Sequence, residues 1–342
     1  MIERFLPRHI AGESPSPFCR GPQERPLRIT FHTSSFVDLP ATEAEALEAL
    51  LELAHLSEIE ALGSEPGAFP HLEIGARTEN GSSIPVNVAR GGITTRSLAV
   101  LPDRLLRIAV GLVDENDPED PEVQLMLSDL VVTRAHYRLG QDILVTFSPR
   151  LLAHRQVWPF RESNPRTPSE AARIVGLFLR SRDNYVCHVS RHARRSLGRG
   201  LFYLVLARHR LPSLWLYFSA CVAAEERRGD DILYLGQSIL NRCIRALQAR
   251  DAIGTQFYLP QNNNTRDVTK YHFDYLTLVL SGAFDALARV AHRAYRIENP
   301  DERHSSFRRR DFRRALRNRE ADSLAEIASG QYFGDIMTLL YE

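Results

Sequence analysis

A chain of 342 residues, 44% of them apolar, has material for two hydrophobic cores, because a single core stops growing at about 250 to 300 residues. The most apolar run, Leu211 to Ala224, ends at Glu225 and Glu226 and is too short to cross a bilayer, and the N-terminal MIERFLPRHIAGESPSPF has no continuous apolar segment. A membrane span and a signal peptide are therefore not expected. Cys19, Cys187, Cys221 and Cys243 form no CxxC pair, and the last three sit among apolar neighbours; they are expected as core thiols of a reducing compartment, the cytoplasm.

The formal net charge of +1 conceals an asymmetry. Asp38 to Asp129 holds 18 acidic and 5 basic residues, whereas Arg180 to Arg210 carries 8 Arg against Asp183, and Arg289 to Arg319 carries 11 Arg against 4 acids. Opposite charges on two halves fit either a basic surface for nucleic acid or two domains that dock on each other. Lys270 is the one lysine, so the basic character is guanidinium, suited to bidentate phosphate contacts.

In chain order, residues 1–26 are rich in Pro, Gly and Ser and read as a loose arm. Leu27 to Phe31 is the first expected strand. Thr42 to Leu62 repeats Leu and Ala at helical spacing, with Thr42 and Glu45 forming a capping box, and is expected as one helix. Residues 63–95 read as irregular with short strands. Leu98–Val113 and Glu122–Leu139 are expected helices, Ile143–Thr146 a buried strand, and Thr167-Pro168 the start of a helix reaching about Arg182. This alternation predicts an α/β domain, 27–190, built on a mostly parallel sheet with flanking helices. Beyond it the pattern becomes helical, over 201–209, 213–228, 231–250, 267–297 and 307–328, which predicts an all-α bundle in an Arg-rich domain, 191–342.

The segment SDLVVTRAHYRLGQDILVTFSPRLL, residues 128–152, resembles the second half of a PIN-like nuclease domain. There an Asp opens a helix, a Gly ends it, and a V-T-x-D strand delivers a further acid. Asp129, Gly140 and Val145-Thr146 match that order, LRITFHTSSFVDL resembles the first strand, and NPRTPSEAARIVGLFLR resembles the final strand and helix. The resemblance implies carboxylates that hold Mg²⁺ or Mn²⁺ and activate water for phosphodiester cleavage. On this alignment Asp129 is the matching acid, Asp142 a second metal candidate or a turn anchor, and His32 and Ser148 stand where acids would. Glu73 and Glu79 are candidates for the central acid, and Asp38 for the first.

In the helical half, Arg266 with His272 and Arg182 with His188 resemble the Arg and His pair of HEPN helical ribonucleases, which implies metal-free cleavage assisted by Arg266 and His272. The segment YHFDYLTLVLSGAFDALARVAHRAY, residues 271–295, resembles the long helix of HEPN-like proteins. In FRRRDFRRALR, rings alternate with guanidinium groups, so Arg308, Arg309, Arg310 and Arg313 are candidates for RNA contact; the alternative is an amphipathic helix with Phe307, Phe312 and Ala315 in its core. Walker A, G-x-G-x-x-G, G-x-S-x-G and H-E-x-x-H motifs are absent. The expectation is an RNA-binding or RNA-cleaving protein of the toxin, defence or RNA-processing kind, a metal-dependent ribonuclease if its degenerate site works. The alternative is a non-enzymatic scaffold on an inactive PIN-like fold. RNA, a second copy of the chain or a protein partner are the expected partners.

Overall fold

The computed structural model describes residues 25–76, 78, 83–113, 117–157, 160–190, 193–228, 232–259, 261–298, 301–319 and 321–341. Most of the expected arm, with Cys19, and Glu79 lie outside the described residues. The chain divides into two compact units, one ending at Ser196 and taking in Tyr258 and Leu259, the other beginning at Leu197.

The first unit is a seven-stranded sheet ordered β5-β4-β3-β2-β1-β6-β7. Strands β1 (Leu27–Phe31), β2 (Ile59–Gly63), β3 (His71–Ile74), β6 (Ile143–Val145) and β7 (Pro165–Arg166) run parallel, while β4 (Ile84–Arg90) and β5 (Ile93–Val100) extend one edge as an antiparallel hairpin. β6 alternates sides. Leu144 faces the layer of α2 (Pro102–Val113) and α3 (Pro121–Arg138) with Leu105, Met126 and Leu130, and Ile143 and Val145 face α1 (Ala41–Leu53) and α5 (Pro168–Ser181) with Leu50, Ile174 and Phe178. Burial on both sides explains why this strand reads as a short continuous apolar run. The expectation of a mostly parallel sheet with flanking helices followed by a helical region therefore holds.

Local chemistry fixes the elements that carry the site. Asp120 caps α3 by accepting from the backbone of Glu122 and Val123. At the other end Gly140, at φ 69°, lets Gly140 and Gln141 donate back to the carbonyls of Tyr137 and His136, a Schellman closure. α5 starts on a complete capping box between Thr167 and Glu170.

Several expectations need correction. The helix expected over 42–62 starts after Pro40 and ends at Leu53; 54–58 are a turn, and the rest belongs to β2, which pairs with β1 from Leu27↔Ile59 to Phe31↔Gly63. Parallel pairing overrides the helical propensity of Leu, Ala and Glu there. Leu98 to Val100 belong to β5, not to the following helix, and the span 63–95 contains β3, β4 and the start of β5. Gly91 and Gly92, both at positive φ, make the two-residue turn between Arg90 and Ile93. A hairpin, β8 (Val186–Ser190) with β9 (Ala193–Ser196), occupies the Arg-rich boundary. Cys187 lies exposed on it, while Cys221 is buried and Cys243 partly so.

The second unit holds α6 (Arg199–Arg210), α7 (Pro212–Arg228), α8 (Ile232–Phe257), α9 (Asn263–Ala294), α10 (Arg310–Asn318), α11 (Asp322–Ile327) and α12 (Gln331–Tyr341). Ile232, Leu235 and Ile239 of α8 pack with Ala286 and Val290 of α9. The helix expected over 307–328 is two helices whose Phe312, Leu316 and Ala325 join Phe307 and Ala288 in a second cluster. Among the described residues no helix is long and apolar enough to cross a membrane.

Candidate functional site

β1 and β6 end in register, Phe31 opposite Val145, so the next residues of each, His32 and Thr146, emerge side by side. This is the C-terminal edge of the parallel strands, where open α/β sheets carry their functional groups. α3, packed on one face of the sheet, brings Asp129 to the same edge. His32, Asp129, Thr146 and Ser148 are all buried.

These residues form one connected network. Asp129 Oδ2 accepts the Ser148 hydroxyl at 2.7 Å and the Arg150 Nε–H at 3.3 Å, while Oδ1 lies 3.5 Å from His32 Nε2. Arg150 also reaches Glu122 of α3 at 3.4 Å. His32 Nδ1 is 3.1 Å from the Thr146 hydroxyl, which lies 3.2 Å from Ser35 Oγ and accepts from the Ser148 backbone N–H. Ser35 donates to the His32 carbonyl at 2.6 Å and accepts from the Phe147 N–H, and Ser64, after β2, accepts from Thr33. Ser148 has a second duty, as N-cap of α4 (Pro149–Ala153). Loops after β1, β2 and β6 are thus tied around one carboxylate.

The pKa of His32 is depressed from its ordinary value. Burial is the main cause, with Arg150 acting in the same direction and the charges of Asp129 and Glu65 opposing it. Thr146 has one hydroxyl proton for two acceptors, His32 Nδ1 and Ser35 Oγ. A neutral ring with its proton on Nε2 points that proton at Asp129 and takes the Thr146 proton at Nδ1, which leaves the Thr146 and Ser35 hydroxyl oxygens facing each other without a proton between them, since Ser35 gives its own to the His32 carbonyl.

This donor set suits a hard divalent cation poorly. Mg²⁺ and Mn²⁺ call for several oxygen ligands with carboxylate charge among them. Here the one buried carboxylate at the edge already accepts from a hydroxyl and a guanidinium, and the groups beside it are the imidazole of His32 and the hydroxyl of Ser148. Among the described residues no group of three or more His, Cys, Asp and Glu side chains is placed to hold a metal.

The other sequence candidates are not brought here. Asp142 precedes β6 and lies at the opposite edge of the strands, where Oδ1 and Oδ2 accept from Arg25 at 2.7 and 2.8 Å and Oδ2 also accepts from the Arg28 N–H. That is the turn-anchor geometry. Asp38 is exposed in a turn at φ 54°, and Glu73 is exposed on β3. Sequence reasoning missed Arg150, Ser35, Ser64 and Glu65. Glu65 is exposed just beyond β2, and the signal that could have found it was a correct end for that strand.

Arg266 is exposed and His272 half-buried on α9. Six positions on one helix place their side chains about 240° apart around its axis, so the two do not face a common point within one chain. Arg182 stacks on Phe178 and donates to the Arg25 carbonyl, while His188 is exposed on β8. Arg308, Arg309 and Arg310 are exposed. Arg308 lies over the Tyr341 ring, and Arg313 is half-buried with its Nη1 donating to the Ala328 carbonyl at the end of α11. Phe307 and Phe312 are buried against each other, so these rings serve the core and offer no stacking platform. On the first unit, Arg194 pairs with Glu58.

Compared with known proteins, the chain matches no family model, no curated protein and no solved structure.

Proposed function

We propose that this chain is an RNA-directed protein whose PIN-like α/β unit no longer builds a metal-dependent nuclease centre, and whose Arg-rich helical unit supplies the contact with RNA. The observation that carries this reading is the state of Asp129: Ser148 and Arg150 donate to its carboxylate and His32 faces it. Of these, His32 and Ser148 stand where the PIN-like pattern would gather further acids. Arg150 places a positive charge beside the one carboxylate a cation would need, and electrostatic repulsion then opposes a second cation there.

Support for RNA contact comes from the run 307–319, in which seven arginines accompany one acid, Asp311. Its rings are core, so exposed guanidinium groups are what it presents to solvent, a surface suited to phosphate. In a titration with labelled single-stranded RNA at two salt concentrations, log K falls by about 0.7 per tenfold salt for each phosphate contacted. The variant Arg308→Glu, Arg309→Glu, Arg310→Glu binds more weakly and with a shallower salt slope; unchanged affinity and slope would remove these arginines from the RNA surface.

A second reading, a scaffold without RNA, draws on apolar side chains left open on the helical unit, with Leu278, Tyr332 and Leu339 each 70% exposed or more. It predicts a stable dimer by light scattering and no salt-sensitive RNA binding.

A further inference from the structure

We propose that the outer face of α8 is a binding site for one nucleotide unit of single-stranded RNA, with Arg242 and Arg245 taking phosphate and Tyr234 stacking the base. This rests on the RNA-directed reading above and names where the helical unit grips its ligand. Tyr234, Ser238, Asn241 and Arg245 recur at spacings of four, three and four, which puts them on one stripe of the helix. With Gln237 and Arg242 they line a cleft of about 340 Å³ closed on one side by Val279 of α9. That is the small end of the ligand-sized range of about 300 to 1,000 Å³, and no acid contributes to its lining.

Arg242 is the built part of the site. It is half-buried, its guanidinium lies against α9 at Gly282, and a Cβ at that position would collide with it. Its Nε is 3.4 Å from Ser238 Oγ. Other partly buried arginines, Arg25, Arg155 and Arg293, are paired with Asp142, Glu170 and Glu302, but among the described residues Arg242 has no carboxylate partner. A guanidinium positioned by packing and left without a counterion is ready to take an anionic oxygen bidentately. Arg242 also lines a second cleft, with Gly282, Asp274 and Asp285; those carboxylates repel phosphate there, and the acid-free cleft on α8 is the place for it. Tyr234 is 75% exposed beside the cleft, a free ring face that any base can stack on. The amides of Gln237 and Asn241 each offer a donor and an acceptor to a base edge.

The test is fluorescence anisotropy on the full chain with a labelled oligouridylate of roughly ten nucleotides. Tyr234→Ala weakens binding roughly tenfold or more, Tyr234→Phe restores it, and Arg242→Gln and Arg245→Gln each lower the salt slope by about 0.7. Tyr234 and Arg245 are exposed, so their variants keep the fold, checked by circular dichroism. Wild-type-like binding in Tyr234→Ala and Arg245→Gln, alongside loss in the triple Arg308, Arg309, Arg310→Glu variant, overturns this site and leaves the RNA-directed reading standing. No RNA binding by the wild-type chain overturns both. Uridine monophosphate matching the oligomer's affinity would overturn the assignment to an RNA strand and make this a free-nucleotide site.

Discussion

Two buried aspartates occupy opposite edges of the same parallel strands, and their surroundings differ in kind. Asp142, at the N-terminal edge, is held by a bidentate guanidinium at 2.7 and 2.8 Å and by a backbone N–H at 3.0 Å, all from the segment Arg25–Arg28 that starts β1. Asp129, at the C-terminal edge, has one short bond from Ser148 and looser approaches from Arg150 at 3.3 Å and His32 at 3.5 Å. Asp142 fastens the start of β1 to the start of β6 and belongs to the fold. Asp129 is ringed by groups from several loops beyond the strand ends, at the edge where such sheets place their chemistry. The difference teaches that burial and an arginine partner do not by themselves mark a functional acid; position relative to strand direction does.

Removing each carboxylate separates the two. Asp142→Ala strands Arg25, whose side chain is only 16% exposed, and breaking a buried pair from one side costs about 3–5 kcal/mol. Asp129→Asn keeps an acceptor for Ser148 and loses charge-assisted contacts, so about 1–3 kcal/mol is expected. Urea unfolding of both variants gives the order, and a larger loss for Asp129→Asn would break the comparison.

A smaller effect comes from His32. Because its folded-state pKa is depressed below its ordinary value of 6.5, the unfolded chain takes up the proton first. The stability it contributes is present above pH 6.5 and is lost as pH falls from there through the lower folded value, by at most about 1.4 kcal/mol per pH unit. His32→Gln flattens the stability curve in that window. A wild-type curve already flat between pH 6.5 and the carboxylate range at about pH 4 would contradict a buried neutral imidazole at this edge.

Much of the edge was legible from the sequence because short-range rules determine it. Leu27–Phe31 is a strand as expected, Gly140 closes α3, and Thr167 and Pro168 open α5. With Asp129 and Thr146 placed on those elements, their convergence follows from parallel strands alone. What was not legible depends on pairing across the chain. Residues 54–62 have helical composition, yet 54–58 turn and pairing with β1 makes 59–62 a strand. Ser35, Ser64 and Glu65 acquire meaning only once β1 and β2 end side by side, and Arg150 only once α4 turns it back toward α3. In the helical unit, Phe307 and Phe312 read as stacking rings or as core, and packing with Leu316 puts them in the core. Arg242 gave no local signal, since its setting is made by a glycine forty residues away on the neighbouring helix.

Binding without metal-dependent cutting is tested when a labelled single-stranded RNA is incubated with the full chain in Mn²⁺ and, separately, in EDTA. Bound fraction and RNA length are read from the same samples, alongside Asp129→Ala. The expected result is RNA that is bound and full-length under both conditions, with Asp129→Ala unchanged in this respect. Shortened RNA in Mn²⁺ that stays intact in EDTA and with Asp129→Ala would contradict it and return the edge of β1, α3 and β6 to an active metal centre.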